Sequence, residues 1–123
     1  GLRDDPQFRA LMDSTGLVSP LYYEAFCARW PDRVASAIAA VDRAERGVVF
    51  CCHAGWDRTG MLAAVLLKRA GVKEDEIIAD YAGSWDNPDP DRLGHARREK
   101  IADSGTTWEA GLRAFLQSST SDF

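Results

Sequence analysis

Apolar positions recur with helical spacing along most of the chain. Val34, Ala37, Ile38 and Val41 fall at i, i+3, i+4 and i+7, which predicts an amphipathic helix over about 32–46. Upstream, Asp5-Pro6 reads as an N-cap followed by proline at the first helical position, with Phe8, Leu11 and Met12 as the apolar face and Gly16 as the stop. Ser19-Pro20 repeats the start signal. The helix it opens, from Leu21 to about Arg29, must end before Pro31, because proline pushes its predecessor out of the α region. Gly47 then ends the third helix, and Val48-Val49-Phe50-Cys51 follows as a short β-branched and aromatic run, the mark of a buried strand.

Beyond that run, Leu62, Val65, Leu66 and Arg69 define a helix from Met61 to Arg69, closed by Gly71. Glu74, Asp75 and Glu76 favour the start of another, whose buried face is Ile77, Ile78 and Tyr81. Trp85 to Asp91, with two prolines, reads as a loop, and Arg92 to Ala102 as a helix that is polar nearly all round. Thr106-x-x-Glu109 is a capping box before a last helix with Trp108, Leu112, Phe115 and Leu116 on one face. Ser118 to Phe123 reads as a frayed tail. The order helix, strand, loop, helix is an α/β unit, whose ligand site belongs at the strand's C-terminal edge. A lone strand cannot make a sheet.

The candidate chemistry sits at that edge. Cys52 and Arg58 bracket five residues, and Thr59-Gly60 follow at once. A loop of that length between strand and helix can turn its backbone N–H groups inward as an anion nest, and the helix N-terminus adds its own donors to the same point. Arg58 offers a planar fork that matches two phosphate oxygens, and Gly55 a residue free to take positive φ. A thiol at the mouth of such a nest has a depressed pKa and becomes a nucleophile aimed at a bound phosphorus. Thr59 can donate its hydroxyl to the sulfur. The bland readings are a structural cysteine at a strand end, a surface arginine at a helix start, and an N-cap carboxylate at Asp57; the combined pattern favours the chemical ones. Asp32, in Trp30-Pro31-Asp32, reads as a first-turn residue of the third helix.

Cys52-x5-Arg58-Thr59-Gly60 resembles the signature loop of the cysteine-dependent phosphatases, the protein tyrosine and dual-specificity superfamily. The resemblance covers about Tyr22 to Ser84 and is most specific over 48–60. Gly-Trp-Asp-Arg-Thr at 55–59 is similar to the myotubularin lipid phosphatases. The whole segment is more like bacterial tyrosine and lipid phosphatases of the mycobacterial phosphatase B type, through Asp57 before Arg58 and the later Gly71-Val72, Ile77-Ile78 and Asp80-Tyr81. Cys51 stands where the superfamily usually has His, and Trp56 where lipid-directed relatives often have Lys.

The resemblance implies a phosphomonoesterase of the protein-tyrosine-phosphatase kind, acting through a phosphocysteine. Cys52 is then the nucleophile, Arg58 the phosphate clamp and Asp57 the acid and base, with His53, Ala54, Gly55, Trp56 and Thr59 around the substrate. Neither a metal nor a cofactor is expected, because nest and arginine supply the charge stabilisation. Phosphorylated protein is the first expected partner and a phospholipid or small phosphate ester the second. The alternative of another class is a non-catalytic phosphate-binding pseudophosphatase, and a rhodanese-like sulfur transferase is more remote. The implied fold is α/β, a central sheet flanked by helices. Residues 1–123 would then be a single domain, the C-terminal part of a phosphatase fold, with most strands in a missing N-terminal part.

Composition limits the rest. With 46% hydrophobic and 28% charged residues the chain is ordinary for a globular protein. A net charge of −4 argues against nucleic acid as a partner of the bulk surface. No apolar run approaches the ~20 residues that span a bilayer, so stable membrane insertion is not expected. Three cysteines without CxxC spacing suggest reduced thiols and a cytoplasmic location. Secretion of a longer precursor stays open, since the sequence starts at Gly1.

Overall fold

Asp5 caps the first helix as its sequence implies: Oδ1 accepts from the N–H groups of Gln7 (2.8 Å) and Phe8 (3.4 Å). The computed structural model to which this helix belongs describes residues 4–15, 20–52, 55–86 and 93–123. Within them lie seven α-helices: α1 (Pro6–Thr15), α2 (Tyr23–Arg29), α3 (Pro31–Arg43), α4 (Asp57–Arg69), α5 (Glu74–Asp86), α6 (Leu93–Asp103) and α7 (Trp108–Gln117). A 3-10 turn, Ser119–Ser121, closes the chain.

The described residues are all helical or irregular, which overturns the α/β expectation of a central sheet flanked by helices. Val48 to Cys51 pairs with no strand, and Val49 is 95% and Val48 43% exposed. A strand exists only by pairing, and β-branched residues merely suit a pleated, half-buried surface. The run therefore keeps its strand-like composition without becoming one, because no other described segment lies beside it.

Where the pattern was helical a helix forms, although α3 ends at Arg43, short of the stop expected at Gly47, because Ala44 is already extended. α2 and α3 meet at Trp30, whose φ of −126° and ψ of 54° break the helix before Pro31 as expected, and Asp32 lies exposed in the first turn of α3. α5 runs on through Trp85, which is buried, so the loop expected from Trp85 begins later; residues 87–92 and the stop at Gly16 lie outside the described residues. The cap of α7 is Thr107, not Thr106: its side chain accepts from the Ala110 N–H at 3.1 Å. Adjacent threonines can both cap, and the register of Leu112, Phe115 and Leu116 decides between them. The expected frayed tail is instead held down by Lys68, whose Nζ donates to Ser121 Oγ and the Leu116 carbonyl (both 2.6 Å) and meets Asp122 at 2.7 Å.

α4 is the central element, packed against α3, α5 and α7. Met61, Ala64 and Val65 form its buried stripe, against Tyr23, Ile77, Leu112 and Phe115. At Gly60 the approach is close: a Cβ there would lie 2.7 Å from Tyr81 Cε2. Gly83, on α5, has open space around it. Alanine favours a helix over glycine by ~1 kcal/mol, whereas overpacking a core costs ~1–3 kcal/mol. Gly83→Ala is therefore expected to raise the melting temperature and Gly60→Ala to lower it, as read by thermal unfolding; equal shifts would contradict this packing.

Candidate active site

The loop from Val48 delivers Cys52 to the start of α4, and the end of that helix is built to receive an anion. Its N-cap residue, Trp56, offers no side-chain hydrogen bond to the first turn. The N–H groups of Thr59, Gly55 and Trp56 and the Thr59 hydroxyl lie instead on the side of the Cys52 sulfur and favour its charged form. Thr59 Oγ1 in turn accepts from the Cys52 N–H at 2.8 Å, so its proton is left for the sulfur. Gly55 makes the turn possible with a φ of 67°, a conformation that costs a side-chain-bearing residue about 1 kcal/mol or more.

The electrostatic outcome follows from these donors. Burial pushes the Cys52 thiol up, but the surrounding donors of Thr59, Gly55 and Trp56 outweigh it and bring the pKa from 9.0 down to about 7. Cys27 shows the contrast: buried beneath α4, its Sγ faces Met61 Sδ at 3.8 Å, and burial alone raises it to about 11. Cys51 is exposed rather than in a strand core, and all three cysteines are free. Because the lowered pKa populates the thiolate above about pH 7, alkylation of Cys52 by iodoacetamide should rise to half its plateau near that pH. A midpoint near 9, read by peptide mass spectrometry, would mean that the nest does not act on the sulfur.

Cys52, Arg58 and Thr59 line one cleft of about 300 Å³, with Phe26, Phe50 and Leu62 among its apolar walls. Arg33 of α3 lines it too, a cation that the sequence pattern left unremarked. His53 and Ala54 lie outside the described residues. Trp56 does not flank the cleft with its ring: the side chain is 8% exposed and meets Trp85 edge-on at 5.2 Å, so only its backbone serves the sulfur.

Asp57 opens α4 with its carboxyl turned to α6. Oδ2 lies 2.5 Å from Arg97 Nη2, a second cation the sequence reading missed, since nothing in a polar helix marks one arginine from its neighbours. Burial raises the pKa of Asp57, partly offset by Arg97 and Arg58. The backbone of Asp57 is also fixed: Tyr23 Oη donates to its carbonyl at 2.8 Å, and so must accept from Tyr81 Oη at 2.8 Å. Burial keeps the Tyr22 and Tyr23 phenols protonated well above their usual range. Among the described residues no three His, Cys, Asp or Glu side chains cluster as a metal site, and no helix is long and apolar enough to cross a membrane.

Cys52, Arg58 and Thr59 thus line one cleft at a helix start, an arrangement suited to an oxyanion, while the Asp57 carboxyl faces Arg97. Sequence comparison agrees: the profile of the tyrosine phosphatase family matches residues 9–122, so the chain belongs to that family. A Cupriavidus necator protein provisionally named a tyrosine-protein phosphatase is 41% identical over 58 residues, 45% of this chain and 21% of its own length. The tyrosine-protein phosphatase of Nostoc commune is 50% identical over 38 residues, 31% of this chain and 13% of its own. The triple specificity protein phosphatase PtpB of Mycobacterium tuberculosis is 42% identical over 55 residues, 45% of this chain and 18% of its own. The chain thus spans about a fifth or less of these relatives. No solved structure matches it.

Proposed function

We propose that the protein hydrolyses phosphate monoesters in two steps through a phosphocysteine, with phosphotyrosine in proteins as its first substrate. The observation that carries this reading is that Cys52, Arg58 and Thr59 line one cleft at the start of α4, where the nearby donors lower the Cys52 thiol to about 7. In the first step Cys52 attacks phosphorus while Arg58 and the loop amides hold the equatorial oxygens. Asp57 protonates the leaving oxygen, its raised pKa favouring the acid form. In the second, Asp57 takes a proton from water, whose oxygen displaces the sulfur.

The apolar walls of the cleft favour an aryl ester over phosphoserine, because a phenyl ring covers Phe26, Phe50 and Leu62 and a short stem does not. A phosphoinositide or other small polyphosphate ester is a second reading, favoured by Arg33 beside Arg58 in the same cleft. The test is hydrolysis of phosphotyrosine and phosphoserine peptides and of a phosphoinositide, all with EDTA present. Preferred turnover of phosphotyrosine supports the first reading, and preferred turnover of the lipid the second. Turnover that EDTA abolishes would contradict both.

A further inference from the structure

Arg97 is bound to two successive residues of the phosphate loop. Its guanidinium carbon lies 4.4 Å from the ring centroid of Trp56, and its Nη2 reaches Asp57 Oδ2 at 2.5 Å. Its neighbour Arg98 donates to the Trp85 carbonyl, and the Trp85 ring meets that of Trp56. The first turn of α6 after Leu93 is thereby fastened to the start of α4 at one place. The side chains of Arg97 and Asp57 are only 14% and 22% exposed.

A purely structural reading fits this pair poorly. Buried ion pairs contribute little net stability, and a structural arginine and carboxylate commonly close both forks. Here Asp57 Oδ1 and Arg97 Nη1 are buried without a hydrogen-bond partner among the described residues. Leaving such buried atoms unpaired is destabilising. One oxygen is gripped and the other has no partner among the described residues.

We propose that Arg97 is the positioning residue of Asp57: it holds Oδ2 as an acceptor, so that the transferable proton resides on the unpartnered Oδ1. The proposal rests on the reading of Asp57 as acid and base. As the sulfur–phosphorus bond forms and the bond to the leaving oxygen breaks, Oδ1–H gives its proton to that oxygen, and the new carboxylate is compensated by Arg97. As water's oxygen then bonds phosphorus and the phosphorus–sulfur bond breaks, Oδ1 takes the water's proton and the Cys52 thiolate returns. The other groups facing Asp57 are Arg58 on its own helix and Tyr22 and Tyr23 at the start of α2, whose phenols burial keeps neutral at working pH.

The test compares wild type, Arg97→Gln, Arg97→Lys and both Asp57→Asn and the Asp57→Asn/Arg97→Gln double variant. It reads the pH profile of phenyl phosphate hydrolysis and the Asp57 carboxyl titration by ¹³C NMR. Arg97→Gln should raise the Asp57 midpoint and the limb of kcat/KM that follows it together by about one unit, and lower kcat roughly tenfold with KM little changed. Arg97→Lys should restore part of both, and Arg97→Gln should cost nothing further once Asp57 is Asn. An unmoved midpoint and limb, or additive losses in the double variant, would overturn the proposal. If Arg97→Gln does not fold, the same two readings on Arg97→Lys decide. If wild type has no turnover, the phosphatase reading falls and takes the proton-transfer role with it, while the NMR midpoint still decides whether Arg97 governs Asp57.

Discussion

Cys52→Ser is expected to abolish phosphate-ester hydrolysis, lowering kcat by roughly 10⁴-fold or more while phosphate binding survives. The nest that brings the thiol to about pH 7 cannot ionise a serine hydroxyl, whose intrinsic acidity is far weaker. The donors themselves are unaffected, since three of the four are backbone N–H groups fixed by α4 and the turn at Gly55. The variant should therefore retain a phosphorylated substrate that it cannot turn over. Turnover and equilibrium binding of a phosphotyrosine peptide check both halves. Residual activity within tenfold of wild type would remove Cys52 from the mechanism.

The second large effect is expected from Asp57→Asn, and it depends on the leaving group. A general acid contributes about 10²–10⁴-fold where the leaving oxygen is strongly basic. Phenyl phosphate should therefore lose on the order of 10²-fold or more, and p-nitrophenyl phosphate, whose leaving group departs as an anion, much less. Asparagine keeps a hydrogen bond within reach of Arg97 but neither gives nor takes the proton. Because both Cys52 and Asp57 titrate, the wild-type profile of kcat/KM should be bell-shaped. Cys52 must be ionised, so one limb follows the thiol near 7. Asp57 must be protonated, so the other follows its carboxyl, which burial raises. The two limbs belong to the pair and not to either residue alone. Equal losses on both esters would assign the acid to another group.

The loop was legible because its chemistry is local. Spacing places Cys52, Gly55, Arg58 and Thr59 around one turn, and a helix start brings its donors whatever the rest of the fold does. The helices were legible for the same reason: Asp5, Pro31 and the spacing of Val34 to Val41 act within one or two turns. The strand was not, because pairing is a property of two segments, and Val48 to Cys51 has the composition of a strand with no partner beside it. Arg97 and Arg33 were illegible on like grounds. Each reaches the site from a different helix, and contacts 40 residues apart, such as Arg97 with Asp57, leave no periodic trace. Trp56 was misjudged because the sequence shows an aromatic in a loop but not that Trp85 and Arg97 close over it.

The most direct measurement of the central claim is rapid acid quench of the protein during turnover of a phosphotyrosine peptide, followed by mass spectrometry of the loop peptide. A phosphate adduct on Cys52 is the predicted result, present within the first turnover and absent from Cys52→Ser. Turnover in wild type with no adduct, or with the adduct on another residue, would contradict it.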